Sequence, residues 1–192
     1  QLSNVIPRGK NESEWVWLDT TTEVAPFGML SANLRKKQAL VIPTKPAEPG
    51  GDAVARLVET PADLPFAATQ RVEVAGQVSD LGKLTARVHY ALRGDAELLL
   101  RVAFRRTPQS QWKQLGQLLA VSDGFRGEIS EVKAGDPAAT QQPFDVEYQI
   151  TQASYLDWSR KQSQLALPLP AVGLPGASED ADARTQPVEL GT

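Results

Sequence analysis

The chain has 192 residues and a formal net charge of −3, from 20 lysine and arginine residues against 23 acidic residues. This length suits one domain or one and a half, with a core that needs no crosslink. The charge balance gives no broad basic field for nucleic acid, and no apolar run approaches the roughly 20 residues that span a bilayer. The absence of cysteine excludes disulfides, thiolate metal sites and a cysteine nucleophile within this sequence.

The N-terminal segment, residues 1–43, is predicted to be rich in β-structure. Aromatic and β-branched residues over 14–18 favour a strand. A turn cluster at 7–11 makes residues 4–6 the candidate partner strand of a hairpin. Proline and glycine interrupt the chain after a run of threonines. Residues 38–42 then form a short apolar run that is typical of a covered strand.

Composition divides the remainder of the chain. Residues 44–65 are rich in proline and glycine, which predicts a linker or an irregular crossing segment with one short strand candidate at 53–59. An α+β domain is expected over residues 66–170. Residues 171–192 are small, acidic and proline-containing, so they bury little apolar surface and are predicted to be a flexible tail.

The elements of the α+β domain follow from changes of hydrophobic period. Strict alternation over 69–92 predicts a hairpin with one apolar face and one wet face. Asp95 is then a good N-cap, and the residues after it have helical spacing, at Leu98, Leu99, Val102 and Ala103. Thr107-Pro108 is a typical start for a second helix. Strand spacing returns over 127–133 and 143–151. The order β-β-α-α-β-β predicts an antiparallel sheet with two helices packed on one face.

Few side chains in this domain are candidates for chemistry. His89, the single histidine of the sequence, falls on the polar face of its predicted strand and is interpreted as a surface residue. A lone histidine without cysteine cannot form a structural zinc site. A phosphate loop, a dinucleotide fingerprint and a Gly-x-Ser-x-Gly motif are all missing, so we expect no metal and no cofactor. Asp145 and Glu147 share a strand face, either as a carboxylate pair for acid–base chemistry or calcium, or as part of a solvated sheet face.

Two further groups have alternative interpretations. Arg101, Arg105 and Arg106 form either an anion site or a solvated helix end, where the macrodipole favours cations; the second is preferred. Tyr155 and Trp158 form either a platform for a sugar or peptide, or a cover for the edge of the core.

Asp19 is the most suggestive candidate in the sequence. It ends an aromatic strand and is followed by threonines, which places it well to orient a histidine on a neighbouring strand. The alternative is a turn aspartate that accepts hydrogen bonds from the amides of Thr20 or Thr21. Spacing alone favours the turn aspartate.

The stretch Trp17-Leu18-Asp19-Thr20-Thr21, followed by Glu23-Val24-Ala25-Pro26-Phe27-Gly28, resembles the end of the catalytic core in bacterial transglutaminase-like proteins. These multidomain proteins are often labelled cysteine proteases, and their cores have a papain-like Cys-His-Asp arrangement. The resemblance implies that Asp19 is the triad acid. Leu2-Ser3-Asn4-Val5-Ile6 matches the stretch that carries the family's histidine, with Asn4 in the place of that histidine. The cysteine would lie upstream of residue 1.

Later stretches resemble the segment of unknown function that follows this core; they are residues 94–98, 104–108 and 156–160. Residues 187–191 resemble the start of a further C-terminal β domain. The resemblance implies a fragment, truncated at both ends, of a periplasmic or extracellular protein. Its expected partners are the other domains of the parent chain and a protein or peptide substrate, with no nucleic acid and no membrane.

The sequence therefore predicts a non-catalytic accessory or spacer domain that positions the core or its protein substrate. The alternative is an independent module that binds a peptide or glycan through an exposed sheet face or edge. A self-standing hydrolase around His89 is a third hypothesis, which requires a nucleophile and an acid close to that histidine.

Overall fold

The computed structural model of the chain describes residues 4–7, 15–43 and 54–159. These residues belong to two compact units, which divide between residues 67 and 68. The predicted tail at 171–192 lies outside the described residues. The α+β class that the sequence predicts is confirmed.

The first unit contains two pairs of short antiparallel strands. They are β1 (Asn4–Pro7), β2 (Trp15–Leu18), β3 (Gln38–Val41) and β4 (Arg56–Glu59). β1 pairs with β2, and β3 pairs with β4. Trp17, Leu30 and Val58 form a small buried cluster. β4 lies within the stretch that was predicted to be a linker, so the described part of that stretch belongs to the first unit.

The second unit is an antiparallel sheet with two helices on one face. Its strands are β5 (Thr69–Val78), β6 (Leu84–Arg93), β7 (Glu128–Ala134) and β8 (Phe144–Gln152). Its helices are α1 (Asp95–Arg106) and α2 (Trp112–Ser122), with a 3-10 turn (Gln109–Gln111) directly before α2. The strand order across the sheet is β5-β6-β8-β7, so β6 and β8 are central.

Alternation buries one face of the two central strands. The buried residues are Leu84, Ala86, Val88, Tyr90 and Leu92 on β6, and Phe144, Val146, Tyr148 and Ile150 on β8. Full burial of one large apolar side chain stabilises a fold by roughly 1.5–3 kcal/mol. From the helices, Phe104 packs edge-to-face on Trp112, with ring centroids 5.1 Å apart. The Trp112 indole donates to the Thr107 carbonyl at 3.0 Å, as expected for a core tryptophan.

The β5–β6 hairpin forms over the predicted residues, but its two strands differ in burial. β6 buries every second residue, whereas β5 is exposed along most of its length. Val74 on β5 is 42% exposed, although its cross-strand partner Val88 is buried. The helices pack mainly on β6, β7 and β8. The helices therefore cover the face of the sheet that β6, β7 and β8 form, and β5 lies largely outside this cover.

Two glycines shape α2 and its contacts. Gly116 is buried where α2 packs against β7, and a Cβ atom there would overlap the Val132 side chain. Gly124 has a φ of +91°, the left-handed conformation that ends many helices. The amide of Phe125 then bonds back to the Ala120 carbonyl at 2.8 Å. Gly124 therefore lies directly after the C-cap residue of α2, Asp123.

Candidate functional site

Asp19 lies directly after β2 and is 9% exposed. Its Oδ1 accepts hydrogen bonds from the Thr21 amide at 2.9 Å and from the Thr21 hydroxyl at 2.6 Å. This is the geometry of a turn aspartate, which stabilises the local backbone. The bonds also fix the orientation of the carboxylate, a property that a triad acid would share.

The position that matches the family's histidine lies beside this turn. β1 pairs with β2 so that Asn4 is opposite Leu18, the residue before Asp19. Asn4 and Asp19 are therefore at the same end of two adjacent strands, with Asn4 on β1 and Asp19 directly after β2. An asparagine amide does not take up and release a proton near neutral pH as imidazole does. Asp19 and Asn4 alone therefore provide neither the cysteine nucleophile nor the histidine base of a papain-like site.

His89 lies on the open face of the sheet, on the side opposite the helices, with its side chain 34% exposed. Its Nε2 is 3.0 Å from Oδ1 of Asp145 on β8, and its Nδ1 is 4.0 Å from Oε2 of Glu73 on β5. Glu147 is opposite His89 in the ladder, but its nearest cation is Arg87, 3.7 Å away. Asp145 and Glu147 therefore share a solvated face, as predicted, and each contacts a different basic side chain.

This open face carries charged side chains of both signs. Among the described residues, no three histidine, aspartate or glutamate side chains are grouped so as to hold a metal ion. A histidine–carboxylate contact alone becomes catalytic only when a nucleophile or a substrate proton lies within hydrogen-bonding reach. The described contacts of His89 are to carboxylates.

The deep burial of two charged residues on α1 was not predicted from the sequence. Glu97 and Arg101, one turn apart on α1, are 0% and 1% exposed. Arg101 Nε donates to Glu97 Oε1 at 2.9 Å, and Arg93 Nη1 donates to the same oxygen at 2.9 Å. The other Glu97 oxygen accepts the Gly94 amide at 3.1 Å, at the start of α1. The preferred interpretation of Arg101 as part of a solvated helix end is therefore wrong.

Arg101 anchors the connection between β7 and β8. Its two terminal nitrogens donate to four main-chain carbonyls of this connection, so each of the five guanidinium N–H groups has an acceptor. The carbonyls are those of Asp136, Pro137, Ala139 and Gln142, at 2.6–3.1 Å. The guanidinium also lies over the Phe144 ring, 4.9 Å from its centroid. The spacing of Glu97 and Arg101 marks an ion pair on one helix face, but the sequence carried no signal for the distant carbonyls.

A second buried polar cluster joins the end of α2 to the central strands. Asp123 is buried, and its Oδ2 accepts hydrogen bonds from the hydroxyls of Tyr90 and Tyr148, the latter at 2.5 Å. Burial, and then the hydrogen bond to Asp123, raises the pKa of both phenols well above the usual 10.0. Both tyrosines lie on strands that the hydrophobic alternation predicts, whereas no local pattern distinguishes Asp123.

The two aromatic residues near the end of the described chain have different environments. Tyr155 is partly buried and packs against the core of the second unit. Trp158 is 55% exposed, and its indole nitrogen is 3.4 Å from the Ser79 carbonyl in the β5–β6 turn. Tyr155 thus covers a core edge, while Trp158 presents most of its surface to solvent.

No protein-family model matches the chain, and comparisons with curated proteins and with solved structures likewise give no match. The transglutaminase-like resemblance therefore stays a prediction from the sequence stretches that carry it. In the part of the chain that the structure describes, no helix is long and apolar enough to cross a membrane.

Proposed function

We propose that this chain is a non-catalytic part of a transglutaminase-like protein. Its first unit is the edge of the core, and its second unit is an accessory domain that positions the core or its protein substrate. One observation carries the proposal: the buried charged side chains of the described residues are all engaged in structural contacts. Asp19 holds a turn, Glu97 and Arg101 hold a connection, and Asp123 holds a helix end. A catalytic acid or base must instead reach a substrate proton.

The β1–β2 pairing supports the assignment of the first unit. The hairpin places Asn4 next to the end of β2, where Asp19 follows. In a papain-like arrangement the corresponding histidine and acid occupy adjacent strands, so the family pattern fits this register. With asparagine in the histidine position, the hairpin retains the scaffold of such a site without its general base.

The second unit has the properties of a positioning domain. Its helices and central strands enclose a continuous apolar core. Its β7–β8 connection is fixed to α1 by the main-chain contacts of Arg101. A domain that sets the placement of a neighbour needs such internal rigidity, because loose connections would allow the neighbour many orientations.

Activity assays on the purified chain test the non-catalytic assignment. The chain is incubated with a glutamine-containing protein and a fluorescent primary amine, and amine incorporation, amide hydrolysis and proteolysis are each followed. We expect no turnover above the buffer rate. Turnover that disappears in a His89→Gln variant would overturn the proposal in favour of a hydrolase around His89.

The positioning role is tested in the parent reading frame, which we expect to encode a cysteine-bearing core upstream. Replacement of residues 68–159 by a flexible linker is expected to preserve turnover of a small amide and to lower turnover of a protein substrate. Equal effects on the two substrates would contradict a role in placing the protein substrate. A reading frame without such a core would contradict the family assignment itself.

A peptide- or glycan-binding module is the second candidate, favoured by the open sheet face. Arg87 and Asp145 are exposed there on neighbouring strands, with His89 between carboxylates. This candidate predicts saturable binding on a peptide or glycan array, reduced by Arg87→Gln. The matched control is Lys113→Gln on α2, on the helix side of the sheet. A spacer predicts no saturable binding with either variant.

A further inference from the structure

The two edge strands of the second unit differ in how they are protected against pairing. β7 has seven residues, a register shift between Ile129 and Glu131 interrupts its ladder with β8, and α2 packs on it. β5 has ten residues and pairs with β6 without any register shift. It also contains neither proline nor lysine. Short strands, bulges, proline and charged side chains, lysine above all, are the usual protections of an exposed edge, and of these β5 has only the charges of Arg71 and Glu73.

β5 also carries an apolar strip that is incompletely covered. Val72, Val74 and Val78 pair with buried residues of β6, so they face the helix side of the sheet. Val72 and Val78 are partly buried, and Val74 is exposed. The apolar surface of the sheet therefore extends beyond the part that the helices cover.

The charges of β5 are self-complementary. Arg71 and Glu73 lie on the opposite, open face of the sheet and form an ion pair within the strand. When two such strands pair antiparallel about a two-fold axis at Val72, residue 71 of each copy is opposite residue 73 of the other. Each arginine then faces a glutamate, and opposite charges at directly opposed positions stabilise a sheet. An axis at Val74 would place Glu73 opposite Ala75 and would lose this match.

We propose that β5 is the interface with a second copy of this chain. The two β5 strands pair antiparallel about a two-fold axis at Val72 and align residues 69–75 of both copies. The two four-stranded sheets become one continuous sheet, and the valine strips of both copies meet on the helix side. An interface of this kind is isologous, because the same surface is used by both copies. A second copy presents an arginine and a glutamate at the positions that the two-fold pairing requires, which an unrelated strand does not.

The proposal is tested by reversing the charge of Arg71 or of Glu73 in the full chain. Dimerisation is measured by sedimentation velocity over a range of protein concentrations. The unmodified chain is expected to show a reversible monomer–dimer equilibrium. Arg71→Glu places only glutamates across the interface, and Glu73→Arg places only arginines. Each variant alone is expected to dimerise at least about tenfold more weakly, since attractive pairs become repulsive. A mixture of the two variants is expected to recover dimerisation, because each arginine again faces a glutamate.

Two controls complete the design. Lys133→Glu changes a charge on the other edge strand, β7, and is expected to leave dimerisation unchanged. Far-UV circular dichroism shows whether each variant retains its fold. Hydrogen exchange of the β5 amides is expected to slow as the concentration of the unmodified chain rises.

Three outcomes would overturn the proposal. One is a chain that stays monomeric while the β5 amides exchange at a concentration-independent rate. Another is a dimer that persists equally in both single variants. The third is a monomer whose β5 edge takes up an added extended peptide, which would assign the edge to a peptide partner instead.

Discussion

Replacement of Arg101 by methionine tests whether this side chain anchors the β7–β8 connection. Methionine keeps an unbranched apolar stem of similar length but removes the charge and all five N–H donors. Glu97, which is 0% exposed, would retain only Arg93 and the Gly94 amide as partners. Removal of one member of a buried ion pair costs roughly 3–5 kcal/mol, and Glu97 would keep only one of its two arginine partners. The four carbonyls that Arg101 binds would also need water or new donors.

We therefore expect Arg101→Met to lower the free energy of unfolding of the second unit by about 3–5 kcal/mol. For a domain of this size, the Tm is expected to fall by about 10 °C or more. Urea denaturation followed by circular dichroism measures the first quantity, and a thermal melt measures the second. Hydrogen exchange is expected to accelerate most in residues 136–142.

The matched control is Arg106→Met, the same substitution at an exposed position of the same helix. Arg106→Met is expected to change the free energy of unfolding by no more than about 0.5 kcal/mol. A double variant, Glu97→Met with Arg101→Met, is expected to be more stable than Arg101→Met alone, because it also removes the buried carboxylate that has lost one of its two arginine partners. If Arg101→Met costs no more than Arg106→Met, Arg101 does not anchor the connection.

Three further predictions concern other contacts. The raised pKa of Tyr90 and Tyr148 means that their contribution to stability is fully present below about pH 10 and is lost as pH rises towards their folded-state pKa. Urea denaturation at a series of pH values should thus show a free energy of unfolding that falls above pH 10. The double variant Tyr90→Phe with Tyr148→Phe should show a smaller fall over the same range. Gly116→Ala should lower the free energy of unfolding of the second unit by about 1–3 kcal/mol, because the new methyl group overlaps a valine side chain on β7. This effect should outweigh the higher helix propensity of alanine, and an increase in Tm would contradict it. Thr60→Val should lower the stability of the first unit by about 1–3 kcal/mol, since the Thr60 hydroxyl donates to the Leu34 carbonyl at 2.6 Å and accepts the Lys37 amide at 2.9 Å. An unchanged rate of amide exchange in the first unit would contradict this prediction.

The fold class was accessible from the sequence because it depends on local periods. Alternation fixes which residues of β6 and β8 share a face, and the change to helical spacing marks α1 and α2. The exposure of β5 was not accessible in this way. Its alternation is as regular as that of β6, but its burial depends on where the helices pack, which local spacing does not record.

The same distinction applies to the polar contacts: a contact between residues close in the sequence could be predicted, and contacts between distant residues could not. Asp19 and Thr21 are two residues apart, so the turn that joins them could be proposed from spacing alone. The acceptors of Arg101 follow it by 35–41 residues, and Asp123 is separated from Tyr90 by 33 residues. Only the folded sheet and its helices bring these groups together. The local pattern at Asp19 fits both a turn aspartate and a triad acid. Only a histidine on the neighbouring strand, and no property of the aspartate itself, would distinguish the two interpretations.

The Arg101 anchor has a consequence for how the β7–β8 connection tolerates change. Its four acceptors are main-chain carbonyls, which every amino acid provides. Side chains at these positions can therefore be exchanged with little loss of anchoring, whereas one inserted or deleted residue would displace several carbonyls from the guanidinium at once. A reporter group or an affinity label attached to an exposed side chain of this connection would therefore preserve the fold, provided that the length of the connection stays fixed.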